Sequence, residues 1–187
     1  MKQIIIVFGI ILAILGFIYG AALPFMKAGA YISAMGNLSN VRSTQGFRDN
    51  FDAVFNFYSP VGTEEATKFL ANDIVNLVSQ EQQPEAVARD LVAYIEPHLE
   101  KDNPRHLISG AQMHMILWVR YHQKDDYTKA ESYYKQILSF GPKLPPALYG
   151  LFELYSRSGD KENMKKVGET ILSYWPSDAN VRNLVQK

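Results

Sequence analysis

The chain is predicted to be all-α, with one apolar membrane-spanning helix followed by stacked helical hairpins. Three observations carry this. Residues 4–26 hold no charged side chain. From Phe47 onward apolar residues recur at helical spacing, and no run of β-branched alternation follows residue 27. Two consecutive segments, 111–144 and 145–178, match each other at a shift of 34 residues. The averages conceal this division: 187 residues, 19 Lys+Arg against 19 Asp+Glu, 47% hydrophobic and no cysteine. They exclude an acidic or basic tail, a disulfide framework and a cysteine-ligated metal or iron–sulfur site.

In the first element, residues 1–26, the uncharged run Ile4 to Met26 makes a helix of roughly 34 Å at 1.5 Å per residue, against a hydrocarbon core of about 30 Å. The competing reading is a cleavable signal peptide, with Lys2 as its basic start, Ile4–Ile18 as its core and Gly20-Ala21-Ala22 as its cleavage site. Continuation of the run through Leu23, Pro24, Phe25 and Met26 favours an uncleaved anchor. Lys2 balances Lys27 and Arg42, so the positive-inside rule gives little orientation. A short cytoplasmic N-terminal stub would place the rest of the chain outside the cytoplasm, in a bacterial inner-membrane setting. Asn37-Leu38-Ser39 fits a glycosylation acceptor in a eukaryotic secretory host. Gly9, Ala13, Gly16 and Gly20 share one face, the small-residue spacing that lets helices associate in lipid, although glycine is also common in membrane helices generally.

Residues 27–62 are expected to be a juxtamembrane linker and an aromatic helix. Gly29, Ser33, Gly36, Ser39, Ser43 and Thr44 interrupt any period up to Gly46, which predicts a pliable stretch. Phe47, Phe51, Val54, Phe55 and Tyr58 then form a helical stripe that Ser59-Pro60-Val61-Gly62 ends. The stripe packs on the following domain, fills a groove as an exposed face, or rests on the membrane as an interfacial helix. Residues 63–187 are predicted to be a helical repeat domain. Thr63 caps a helix opening with Glu64-Glu65, and Pro84 opens the next. Asn103-Pro104 opens a third, whose apolar face runs through Leu107, Ala111, His114, Leu117, Trp118 and Tyr121. Ser177-Asp178 starts a short capping helix.

The shift of 34 pairs Leu117/Leu151, Tyr121/Tyr155, Asp126/Asp160, Ile137/Ile171, Leu138/Leu172, Ser139/Ser173 and Pro142/Pro176 as identities. Here the sequence resembles the tetratricopeptide repeat (TPR) family, whose period is 34. Leu117, Tyr121, Ala130, Tyr134 and Pro142 fit the pattern in the first unit, and Leu148, Leu151, Tyr155, Ile171 and Pro176 in the second. Trp118 and Phe152 stand where the pattern has a small residue, Met164 where it has alanine and Gly168 where it has an aromatic. The resemblance implies an α-solenoid and a protein partner lying along the inward side of each first helix. Carried over position by position, that side holds Gln112, Met115, Ile116, Val119 and His122, then Tyr149, Glu153, Ser156 and Arg157. This is no carboxylate clamp. It reads as an apolar groove for a peptide or helix, with Tyr149 and Arg157 as polar anchors, or alternatively as residues that only pack on the preceding hairpin.

The order of elements also resembles the extracytoplasmic tail of bacterial O-antigen ligase-like membrane proteins. That likeness implies a cell-envelope setting. It does not carry over glycosyl transfer, because the multi-span domain that performs it in that family is not in this sequence.

No phosphate-binding loop, nucleophile elbow or His-Glu-x-x-His motif is present, so no enzyme activity, cofactor or metal is expected. His98, His106, His114 and His122 lie eight apart, a step that rotates about 80° around a helix and does not gather ligands. His114 is expected to pack on the apolar face, and Asp125-Asp126 to serve as helix-start charges. Interspersed charges disfavour nucleic acid. The expected function is a membrane-anchored protein-interaction scaffold, and the alternative is an accessory role in envelope polysaccharide synthesis or ligation.

Overall fold

Nothing in the first 37 residues stops a helix, and a nearly continuous one forms. In the computed structural model, which describes residues 2–186, α1 spans Lys2–Phe17, a wide turn spans Ile18–Ala22, and α2 spans Leu23–Asn37. In the wide turn the Leu23 N–H reaches Ile18 O, one residue further back than in an α-helix. Pro24 explains the change of pitch. Its ring would clash with the carbonyl four residues earlier, that of Gly20, and it has no N–H to donate. Widening the turn just ahead of it relieves that clash without breaking the rod. The helical segment Lys2–Asn40 is long and apolar enough to cross a membrane or to act as a signal sequence. Every described residue of α1 is exposed.

The described residues are helical, with no strand among them. The remaining helices are α3 Thr44–Asn56, α4 Thr63–Ser79, α5 Glu85–Ile95, α6 Pro104–Tyr121, α7 Lys124–Phe140, α8 Pro145–Ser158, α9 Lys161–Tyr174 and α10 Ala179–Val185. Two compact units divide within α4, between Phe69 and Leu70.

In the first unit the pliable stretch expected after Met26 is helix as far as Asn37, followed by a tight turn at Leu38–Asn40 and non-helical backbone at 41–43. Gly29 and Gly36 each cost a helix about 1 kcal/mol relative to alanine, but tertiary contacts outweigh that. Ala34 is buried, its carbonyl accepts from Asn50 Nδ2 at 2.8 Å, and the Tyr31 ring lies 6.3 Å from that of Phe51. Ser43 caps α3 by accepting from the Gly46 N–H at 3.0 Å. Phe47, Phe51 and Val54 are buried on the predicted stripe, whereas Tyr58 lies past the helix end and is exposed. Lys27 is buried and donates from Nζ to Phe57 O at 2.9 Å, closing the C-terminal end of α3 with a cation, where the helix dipole favours one.

In the second unit consecutive helices pack on one another, α6 on α7, α7 on α8, α8 on α9 and α9 on α10. Asn103 caps α6 by accepting from the Arg105 N–H at 3.1 Å, with Pro104 at the first helical position. Pro84, expected inside the first turn of α5, is the residue just before it. Asp160 and Asp178 cap α9 and α10. Gly159 ends α8 at φ +76°, letting the Asp160 N–H reach Tyr155 O at 3.0 Å.

One core cluster joins Leu107, Ala111, Ala130, Tyr134, Ile137, Leu151 and Tyr155. A second joins Leu148, Phe152, Ile171 and Val181. The paired tyrosines of the 34-residue shift are both tied back to earlier segments. Tyr121 Oη donates to Gln83 O at 2.9 Å and Tyr155 Oη to Glu131 Oε1 at 2.7 Å.

Two of the departures from the repeat pattern, Phe152 and Gly168, share a local cause. A side chain at Gly168 would run into Val185 and lie 2.9 Å from the Phe152 ring, so the glycine admits α10 and the bulky Phe152 together. Gly168→Ala is therefore expected to destabilise, although alanine is the better helix former. Overpacking costs about 1–3 kcal/mol and the propensity gain is about 1. A lowered midpoint in urea unfolding at unchanged slope is the expected reading.

Candidate interaction groove

The second unit carries a groove of about 760 Å³. Four helices line it. Asn72, Val75, Asn76 and Ser79 come from α4, Gln112, Met115, Ile116, Val119 and Arg120 from α6, Tyr134 from α7, and Pro146, Tyr149, Gly150, Glu153 and Arg157 from α8. Of the nine residues placed on the inward face from the sequence, seven, Gln112, Met115, Ile116, Val119, Tyr149, Glu153 and Arg157, meet in this one groove, and His122 and Ser156 do not line it. His122 instead ends α6 in a left-handed conformation, φ 56°.

Its floor is apolar. Ile116 and Val119 are partly exposed, whereas Met115 belongs to the core and accepts at Sδ from Tyr134 Oη at 3.8 Å. Gly150 lies against the Tyr134 ring so closely that any side chain there would overlap it. Burial pushes the Tyr134 hydroxyl up to about 12. One wall is uncharged and polar. Asn72, Asn76 and Ser79 recur along α4 at helical spacing, and Gln112 on α6 adds a third amide. Amides offer a donor and an acceptor together, the pairing that a peptide bond requires.

The two expected polar anchors are already engaged. Tyr149 Oη donates to Asp178 Oδ2 at 2.6 Å, and this bond to a carboxylate raises its pKa to about 12. It offers the groove its ring rather than its hydroxyl. Arg157 Nε pairs with Glu153 Oε1 at 2.8 Å, one helical turn apart on the exposed rim. Arg120, missed from the sequence, holds the connection between α4 and α5. Its guanidinium donates to Val78 O at 2.5 Å, Gln80 O at 2.6 Å, Glu81 O at 2.8 Å and Gln83 O at 3.2 Å.

A buried ionic cluster lies outside the groove lining. His114 is held between two carboxylates, Nδ1 at 3.0 Å from Asp126 Oδ1 and Nε2 at 3.0 Å from Glu96 Oε1. The expectation that His114 merely packs on an apolar face is corrected here, because only its burial holds. Asp126 is likewise more than a helix-start charge. It is buried, and Arg89 Nη1 stands 3.0 Å from its Oδ2, an ion pair short of hydrogen-bond alignment. Lys129 Nζ donates to both Glu96 oxygens, at 3.0 and 2.9 Å, and Tyr133 Oη donates to Glu96 Oε1 at 3.0 Å. His114 and Lys129 together hold the Glu96 carboxyl down at about 2, while burial and the same carboxylate raise Tyr133. The cluster ties α5 and the turn after it to α6 and α7.

The histidines do not converge. His106 is buried and accepts at Nδ1 from the Glu100 N–H at 3.1 Å, and His98 lies against the Tyr94 ring. No His/Cys/Asp/Glu group suited to a metal occurs among the described residues. In the apolar helix Gly9, Gly16 and Gly20 face open space, with no atom within 4 Å of a built side chain, and Ala13 on the same face is exposed. No protein-family model, curated protein or solved structure matches this chain.

Proposed function

We propose that this protein is a membrane-anchored interaction scaffold at the cell envelope, divergently TPR-like, whose groove receives a peptide or helix of a protein partner. The observation that carries the reading is the meeting of seven of the nine sequence-selected residues in one groove of about 760 Å³, with an apolar floor and an amide wall. Apolar pockets fix a partner's side chains and amides satisfy its main chain, the division of labour of groove-binding peptides. The span Ile4–Met26 holds the scaffold to the bilayer, with the groove on the extracytoplasmic side and the Gly9, Ala13, Gly16 and Gly20 face available for self-association.

The test is capture by the detergent-solubilised full chain. Ile116→Glu and Val119→Glu place a carboxylate on the floor at partly exposed positions. They are expected to abolish saturable capture of the wild-type partner while leaving the circular dichroism spectrum and unfolding midpoint unchanged. Retention of full capture by both variants would contradict the groove as the site.

A further inference from the structure

We propose that the α3–α4 turn, Tyr58-Ser59-Pro60-Val61, enters the headgroup region of the bilayer beside the end of the apolar helix, giving the anchor a second lipid contact. This rests on the reading of Ile4–Met26 as a membrane span. Four observations converge on lipid as the occupant.

The turn is fixed at the level where the apolar run ends. Lys27 Nζ donates to Phe57 O at 2.9 Å on one side, and a side chain at Gly62, on the other, would meet Lys27 Cδ at 3.6 Å. The turn's large side chains are exposed, Tyr58 by 68% and Val61 by 59%, as are Phe25 and Met26 at the end of the apolar run, at 80% and 55%. No charged residue occurs from Ala53 to Thr63, so the turn brings no charge of its own out of water, and the Lys27 ammonium beside it is already buried.

Finally, part of the backbone in and beside the turn already carries partners. Phe57 O accepts from Lys27, Val61 O accepts from Ser59 Oγ at 2.7 Å, Gly62 O accepts from the Ala66 N–H at 3.1 Å, and Pro60 has no N–H to satisfy. Irregular backbone is costly in lipid because its polar groups lose water. Here the partnered carbonyls and the proline remove part of that cost in advance. A tyrosine at the interface keeps its hydroxyl among headgroups and its ring among acyl chains.

Because the chain has no cysteine, single nitroxide labels can be placed in the full-length protein in lipid nanodiscs, at Tyr58→Cys, Val61→Cys, Phe17→Cys and Glu153→Cys. Collision with oxygen relative to an aqueous nickel chelate reports depth. The expected result is a high ratio at Phe17→Cys, a low one at Glu153→Cys, and ratios at Tyr58→Cys and Val61→Cys raised clearly above the latter. Ratios at 58 and 61 equal to that at 153, with 17 still lipid-like, would overturn the proposal and leave the span intact. An aqueous ratio at 17 as well would overturn both.

Discussion

Replacing His114 with alanine is expected to lower unfolding free energy by about 3–5 kcal/mol, the range for removing one partner from a buried ionic cluster. The side chain sits between Glu96 and Asp126, at 3.0 Å from each. Its loss leaves a carboxylate on either side, one of them buried beside the Arg89 guanidinium. Urea unfolding measures the loss, and a change within about 0.5 kcal/mol, ordinary for a neutral surface site, would show that the cluster does not hold the helices together.

The same cluster fixes a pH dependence. The folded Glu96 carboxyl titrates at about 2, below the ordinary glutamate value of about 4.3. A depressed carboxylate stabilises the fold fully above the unfolded value, and that contribution is lost as pH falls from about 4.3 towards the folded value. Glu96→Gln should therefore be less stable than wild type at neutral pH, and the difference should shrink across that acid window. A difference constant with pH would contradict the assignment.

Arg120→Ala should be the second large effect, a loss of about 2–3 kcal/mol, since hydrogen bonds from a charged donor contribute about 1.5–3 kcal/mol each and do not add fully. Four carbonyls at the end of α4 and in the following turn would lose their shared donor. Arg120→Lys should not restore stability, because an ammonium cannot reproduce the planar fork. Hydrogen exchange should localise the change, with faster exchange at residues 80–83 and little change in α9. Uniform slowing or no change would refute the role given to Arg120.

The helices were legible because periodicity and capping act locally: Asn103-Pro104, Ser177-Asp178 and the Phe47–Val54 stripe each announce themselves within a few residues. The groove residues were legible for a related reason, since residues on one face of α6 and of α8 are set by helical spacing once the repeat period aligns the two helices. What stayed hidden is long-range. His114 looked apolar because its neighbours on the α6 stripe are. Glu96 and Asp126, 18 and 12 residues away, form no pattern with it in one dimension. Helix through Gly29 and Gly36 was hidden for the same reason, because the contacts with α3 that outweigh glycine's propensity lie at a distance in sequence. One signal could have been used. The face of α4 made by Asn72, Asn76 and Ser79 is polar yet uncharged, which is unusual for a solvated helix face and marks a surface shaped for contact.

The central claim is an anchored chain that presents its groove outside the cytoplasm. A single cysteine at Glu153→Cys, on the exposed groove rim, measures it most directly when the chain is expressed in a bacterial host. In intact spheroplasts a membrane-impermeant maleimide should label this cysteine, and the labelled protein should resist carbonate extraction from the membrane fraction. Labelling only after lysis would put the groove in the cytoplasm, and release of the labelled protein by carbonate would remove the anchor. Either result would contradict the claim.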